Sequence, residues 1–172
     1  MKTLKIPLMI IIFGLLTLNL ASCNKDDDGG DGGTAAPGTV QARIDGSTFT
    51  SNSMASQANI VDVGPSFTIN ILGTDLSGNN INLTLNGVTG PGTYVIGGDN
   101  LVSISASYTE INTSTFQSST WQAPYEGGEE VGEINIAQLE EDNIVGTFSF
   151  TARNSDDGSF KEITEGSFNM AF

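Results

Sequence analysis

Histidine does not occur in the 172 residues, cysteine and tryptophan occur once each, and Lys and Arg together number 6 against 20 Asp and Glu. Without histidine there is no Ser-His-Asp triad, no Cys-His dyad and no His general base, and a zinc site loses its usual nitrogen ligands. A single cysteine cannot close an internal disulfide, so the fold must be held by its core alone. The shortage of basic residues leaves a formal charge of −14. Such a surface repels phosphate backbones and anionic lipid, and no basic cluster offsets it, so nucleic acid is excluded as a partner. Apolar spacing of period 3.6 is also missing beyond the first residues, which leaves a chain without helix signals.

What is present begins with an address. Lys2 and Lys5 form a short basic region, and Leu8 to Leu20 is an apolar run interrupted only by Gly14, Thr17 and Asn19. The run is about thirteen residues, shorter than the roughly twenty that span a bilayer as a helix. Small residues close it, as they do in a cleaved secretory signal. Residues 1–22 are therefore expected to be removed, which takes the formal charge from −14 to −16 with the loss of the two lysines.

The residues at the end of that signal, Leu20-Ala21-Ser22-Cys23, resemble the bacterial lipobox, which implies a thioether-linked diacylglyceryl group on Cys23 and cleavage just before it. Several acyl chains on one residue anchor stably where a single chain holds only marginally. Lys25-Asp26-Asp27-Asp28 is similar to the export signal of Bacteroidota-type surface lipoproteins. That resemblance implies an outer-membrane protein at the cell surface; the alternative is a periplasm-facing position.

Residues 23–39 follow as the lipidated Cys and a flexible tether rich in Asp and Gly. Its acidic run is not an EF-hand loop: counted from Asp26, the twelfth position is Pro37, where such a loop places a bidentate Glu.

From Val40 the pattern changes to period two. Val40, Ala42 and Ile44 alternate with polar residues, and Asp45-Gly46 turns the chain into Ser47–Thr50 around an inward Phe49. Ala55–Val63 is a less regular strand. Phe67, Ile69 and Ile71 face Ile81, Leu83 and Leu85 across the turn at 75–80, giving a hairpin with one apolar and one wet side. Short strands follow at Tyr94–Ile96 and Val102–Tyr108. Residues 112–130 then read as a long polar loop carrying Phe116, Trp121 and Tyr125, and long loops in compact domains are more often functional than idle. Ile134 and Ile136, Val145–Arg153, Ser159–Thr164 and Gly166–Phe172 supply the last strands. The reading is all-β: residues 40–172 form one antiparallel β-sandwich or flattened barrel of about nine or ten strands. Phe172 ends a core strand, since the alternations are too short and their outward positions too polar for a membrane barrel.

Gly132 to Phe172 is similar to a domain of unknown function found on flavobacterial-type lipoproteins. The resemblance rests on the Gly-x-Ile-x-Ile strand, Gly146-Thr147-Phe148-Ser149-Phe150-Thr151-Ala152, and Ile163-Thr164-Glu165-Gly166-Ser167-Phe168. It extends to Ala42-Arg43-Ile44-Asp45-Gly46 and Phe49. It implies a fold and a cell-envelope location, and no catalytic residue.

Two groups of side chains are candidate sites. Trp121 and Tyr125 combine large apolar faces with polar tips suited to a glycan or a protein partner, or else Trp121 plugs one end of the sandwich. Glu126, Glu129, Glu130 and Glu133 could supply oxygens to a weakly held Ca²⁺, or an acid and base for a glycosidase, or form a solvated edge. No other cofactor is expected. The expected function is a non-catalytic binding or adhesion module, not an enzyme, held at the membrane by lipid. The alternatives are a carboxylate-dependent glycan hydrolase and an envelope scaffold without ligand.

Overall fold

The structure, a computed structural model, describes residues 33–98, 103–125 and 129–172. Cys23, the signal, the acidic export-like run and Glu126 lie outside the described residues.

Eleven strands form among them: β1 (Thr39–Ile44), β2 (Ser47–Thr50), β3 (Gln57–Asp62), β4 (Phe67–Thr74), β5 (Asn80–Val88), β6 (Gly92–Gly97), β7 (Ile104–Asn112), β8 (Gln117–Ala123), β9 (Glu130–Leu139), β10 (Asn143–Arg153) and β11 (Phe160–Ala171). All pair antiparallel in the order β2-β1-β11-β10-β8-β7-β5-β4-β3, with β6 and β9 branching from β10. The branch explains the two layers. Ile144 to Phe150 of β10 pair with β9, while only Arg153 reaches β8, at Gln122. From that bridge the sheet parts into β8-β7-β5-β4-β3 and β6-β9-β10-β11-β1-β2, whose apolar sides share one core. The sheet is not closed, so of the two architectures expected it is the sandwich that forms.

Period-two alternation is carried through into burial. Ile69, Ile71, Ile81, Leu83, Leu85, Ile134, Ile163 and Phe168 are fully enclosed, and along β4 and β5 the residues that alternate with them face outward, as the pleat requires. The Asp45-Gly46 turn takes φ values of 50° and 79°, the doubly positive geometry that suits a two-residue hairpin and that Asp-Gly adopts readily. Where the layers come closest, Gly73 of β4 lies against Val40 of β1; a Cβ there would stand 2.5 Å from the Val40 Cβ.

Two segments differ from the expectation. The loop expected over 112–130 is instead a hairpin: β7 runs to Asn112, a turn closes with Phe116 N–H donating to the Asn112 carbonyl at 2.8 Å, and β8 returns. The two final strands are one, β11, which bulges against β10 between Phe148 and Phe150 and carries Glu165 at φ 51°. The bulge buries Gly166, Ser167 and Phe168 in succession, and this interruption of the alternation reads in sequence as a turn.

Candidate functional site

Gly73, Ile81, Tyr108 and Trp121 form one register row across β4, β5, β7 and β8. At its far end Trp121 is 7% exposed and stacks on Tyr108 at 5.9 Å, and Phe49 meets Tyr108 edge-on at 6.4 Å. The Trp121 indole N–H donates to Ser159 Oγ at 2.9 Å, and the Lys161 ammonium lies over the indole ring, 5.2 Å from its centroid. Lys161 also pairs with Asp45 at 2.9 Å and Glu110 at 3.8 Å. Asp45 accepts the Glu162 N–H, and that bond and Lys161 together hold its carboxyl below the ordinary carboxylate range. Burial, reinforced by the Glu110, Asp75 and Asp45 carboxylates, pushes the Tyr108 phenol up to about 12.

Of the aromatic pair expected to meet a ligand, Trp121 thus packs inside the sandwich, where its ring is already in contact with Tyr108 and Lys161. Tyr125 packs on a different ring, edge-on to Phe160 at 5.5 Å. Phe160 is in turn covered by the Arg153 guanidinium at 5.9 Å. The structure therefore does not bring Trp121 and Tyr125 together on one open platform. Glu129, Glu130 and Glu133 are exposed around the start of β9, and among the described residues no group of three or more acidic, His or Cys side chains could hold a metal. Phe172 packs partly buried against the core.

An open concavity lies elsewhere. A groove of about 560 Å³ is lined by Ile60 and Asp62 of β3, Phe67 of β4, Thr89, Gly90 and Pro91 of the β5–β6 link, and Leu139, Glu140 and Glu141 at the β9–β10 turn. Asp62 pairs with Phe67, and Phe67 with Val88, so the wall from one layer is a continuous sheet end. The other layer contributes Leu139, which is opposite Ile144. The link between them is fixed by Tyr94, whose hydroxyl donates to the Gly90 carbonyl at 2.6 Å and accepts from the Thr89 N–H at 3.3 Å. Asp62 is steadied by the Gly64 N–H at 2.8 Å. The result is an apolar floor of Ile60, Phe67, Pro91 and Leu139 under three rim carboxylates. A preformed apolar cleft with a few placed polar groups is the usual form of a binding site, and this one suits an apolar body bearing positive charge.

Residues 36–171 match the family described as a domain of unknown function (DUF6252). The chain belongs to that family. The match spans β1 to β11, so the DUF6252 domain and the sandwich are the same unit. Neither the curated proteins nor the solved structures contain a match to the chain. Sequence reasoning missed the DUF6252 groove because its walls come from three separated segments. The usable signal was an apolar residue at each of three turn edges, Phe67, Pro91 and Leu139.

Proposed function

We propose that this DUF6252 protein is a lipid-anchored lipoprotein of the cell envelope, held in the outer membrane and exposed at the surface, whose sandwich is a non-catalytic binding module. The observation that carries the reading is Leu20-Ala21-Ser22-Cys23 at the close of a basic and then apolar leader, directly ahead of a tether and a single domain. Anchorage gives such a domain a display role, and the groove gives it a place for a ligand. The rim carboxylates Asp62, Glu140 and Glu141 over an apolar floor favour a protein segment with alternating apolar and Lys or Arg residues over a neutral glycan.

The test is the intact mass of the protein extracted from membranes. A chain beginning at Cys23 and carrying a diacylglyceryl group supports the anchor, and Cys23→Ser should then leave the protein in the soluble fraction. A membrane-extracted chain with an unmodified thiol at Cys23 ends the reading.

A further inference from the structure

The end of β4 opposite the groove carries three large apolar side chains in the open: Met54 is 92% exposed, Leu76 89% and Phe116 88%. They belong to different connections, which hydrogen bonds hold side by side. Asn52 N–H donates to the Thr74 carbonyl at 2.8 Å, and the Thr74 N–H to Ser56 Oγ at 3.3 Å, fixing the Met54 loop against the turn that follows β4. That turn, bearing Leu76, abuts the next: the Ile111 N–H donates to Asn79 Oδ1 at 2.8 Å, just before the hairpin tip that holds Phe116. Phe116 sits there at φ 56°, a left-handed conformation costly for an aromatic residue, and strain kept at an exposed position points to use.

Charge singles out the same end. Residues 52–56, 75–79 and 112–116 are fifteen in number and contain one ionisable side chain, Asp75, in a chain with 20 acidic residues. The Asp75 carboxylate is turned into its own loop, accepting from the Ser77 and Asn79 N–H groups and from Asn79 Nδ2. The chain also enters here: Gly38 packs next to Ser53, one residue from Met54.

From these placements we infer that the three loops dock on a lipid surface, with Met54, Leu76 and Phe116 entering the boundary between headgroups and acyl chains. The inference rests on the anchor at Cys23, which stands ten residues before the first described residue, Gly33, and so ties the bilayer to the corner that bears Met54. Apolar side chains on a rim whose one carboxylate, Asp75, is turned into its own loop meet lipid with less repulsion than the acidic remainder of the domain would bring, and shallow entry of about 5–10 Å is the depth such interfacial contacts reach.

The test uses the lipidated protein reconstituted in phosphatidylcholine vesicles. With Cys23 acylated, Phe116→Cys offers one free thiol for an environment-sensitive fluorophore, and Val63→Cys, 56% exposed at the groove end, is the control. The inference predicts a blue shift and loss of emission to lipid-borne nitroxide at position 116 but not at 63, with melting temperatures close to that of the parent protein. Equal responses at the two positions overturn it, and so does a blue shift at 116 without loss of emission to the nitroxide, which marks a protein contact in place of lipid. If the parent chain itself takes up label at Cys23, the anchor reading has failed and the docking built on it falls as well. If the parent stays unlabelled and position 116 stays unquenched, the docking alone has failed.

Discussion

At Thr74, β4 runs into loops tipped by Met54, Leu76 and Phe116 whose one carboxylate is Asp75; at Phe67, roughly 23 Å away at about 3.3 Å per residue, it borders a groove rimmed by Asp62, Glu140 and Glu141. Both ends present apolar atoms to the outside, but one offers them convexly with a single, inward-turned carboxylate, the other concavely and under three carboxylates. Shape and charge differ together, and the proposed docking assigns each end a different surrounding. Three carboxylates stand over the cleft, whereas the three tip loops hold one, Asp75, which is turned into its own loop. The comparison depends on both ends being stiff, and the changes that follow probe that stiffness from the strongest effect to the weakest.

Trp121→Ala should cost the most. It removes a buried indole from the row beneath the tip end and with it the bond to Ser159 Oγ, for a loss of about 3–5 kcal/mol in denaturant unfolding. A loss below about 1 kcal/mol would mean that the platform under Leu76 and Phe116 is not the packed structure described. Alkaline titration tests the same row. The Tyr108 phenol is raised from its ordinary 10 to about 12, so folding favours its neutral form. That stability is complete below pH 10 and is lost as pH climbs towards 12. Tyr108→Phe should flatten stability in that window, and an unchanged slope would contradict the burial of the hydroxyl.

At the groove end the expected change is smaller. Tyr94→Phe deletes the hydroxyl that joins Thr89 and Gly90, lowering stability by about 1 kcal/mol and weakening binding of a basic, apolar peptide by calorimetry. A lipid-quenched label at position 116 should not notice it; a shared response would show that the two ends are coupled. Phe116→Gly should do least to the fold, raising stability by up to about 1 kcal/mol because glycine accepts a φ of 56°. It should nonetheless remove lipid contact, and a fall in stability would show that the exposed ring supports the hairpin.

Much of this sandwich is legible in its sequence because β1, β4, β5 and β10 bury alternate residues with few exceptions, and Asp45-Gly46 names its own turn. β8 is not legible for a physical reason. Gln117, Ser118 and Ser119 are exposed in succession, leaving Trp121 and Ala123 as its buried residues, too few to display a period. In β11 the bulge at Glu165 breaks the period within a single strand. The position of Trp121 within the core was one of two readings open from sequence, and its stacking on Tyr108 belongs to pairing that local pattern does not contain. The groove and the apolar tips were both beyond local reasoning, since each collects residues from three connections brought together by the sheet. Leu76 and Phe116 did carry a signal, being large apolar side chains at the centres of polar turns.

The central claim is polarity: apolar tips towards lipid, acidic groove away from it. Neutron reflectometry of the lipidated protein on a supported phosphatidylcholine bilayer reads that arrangement directly. The account predicts protein density that begins at the headgroups, with no water layer between, and loss of that contact when Met54, Leu76 and Phe116 are all replaced by Ser. A hydrated gap of tens of ångströms, the reach of an extended tether at about 3.3–3.6 Å per residue, would contradict it.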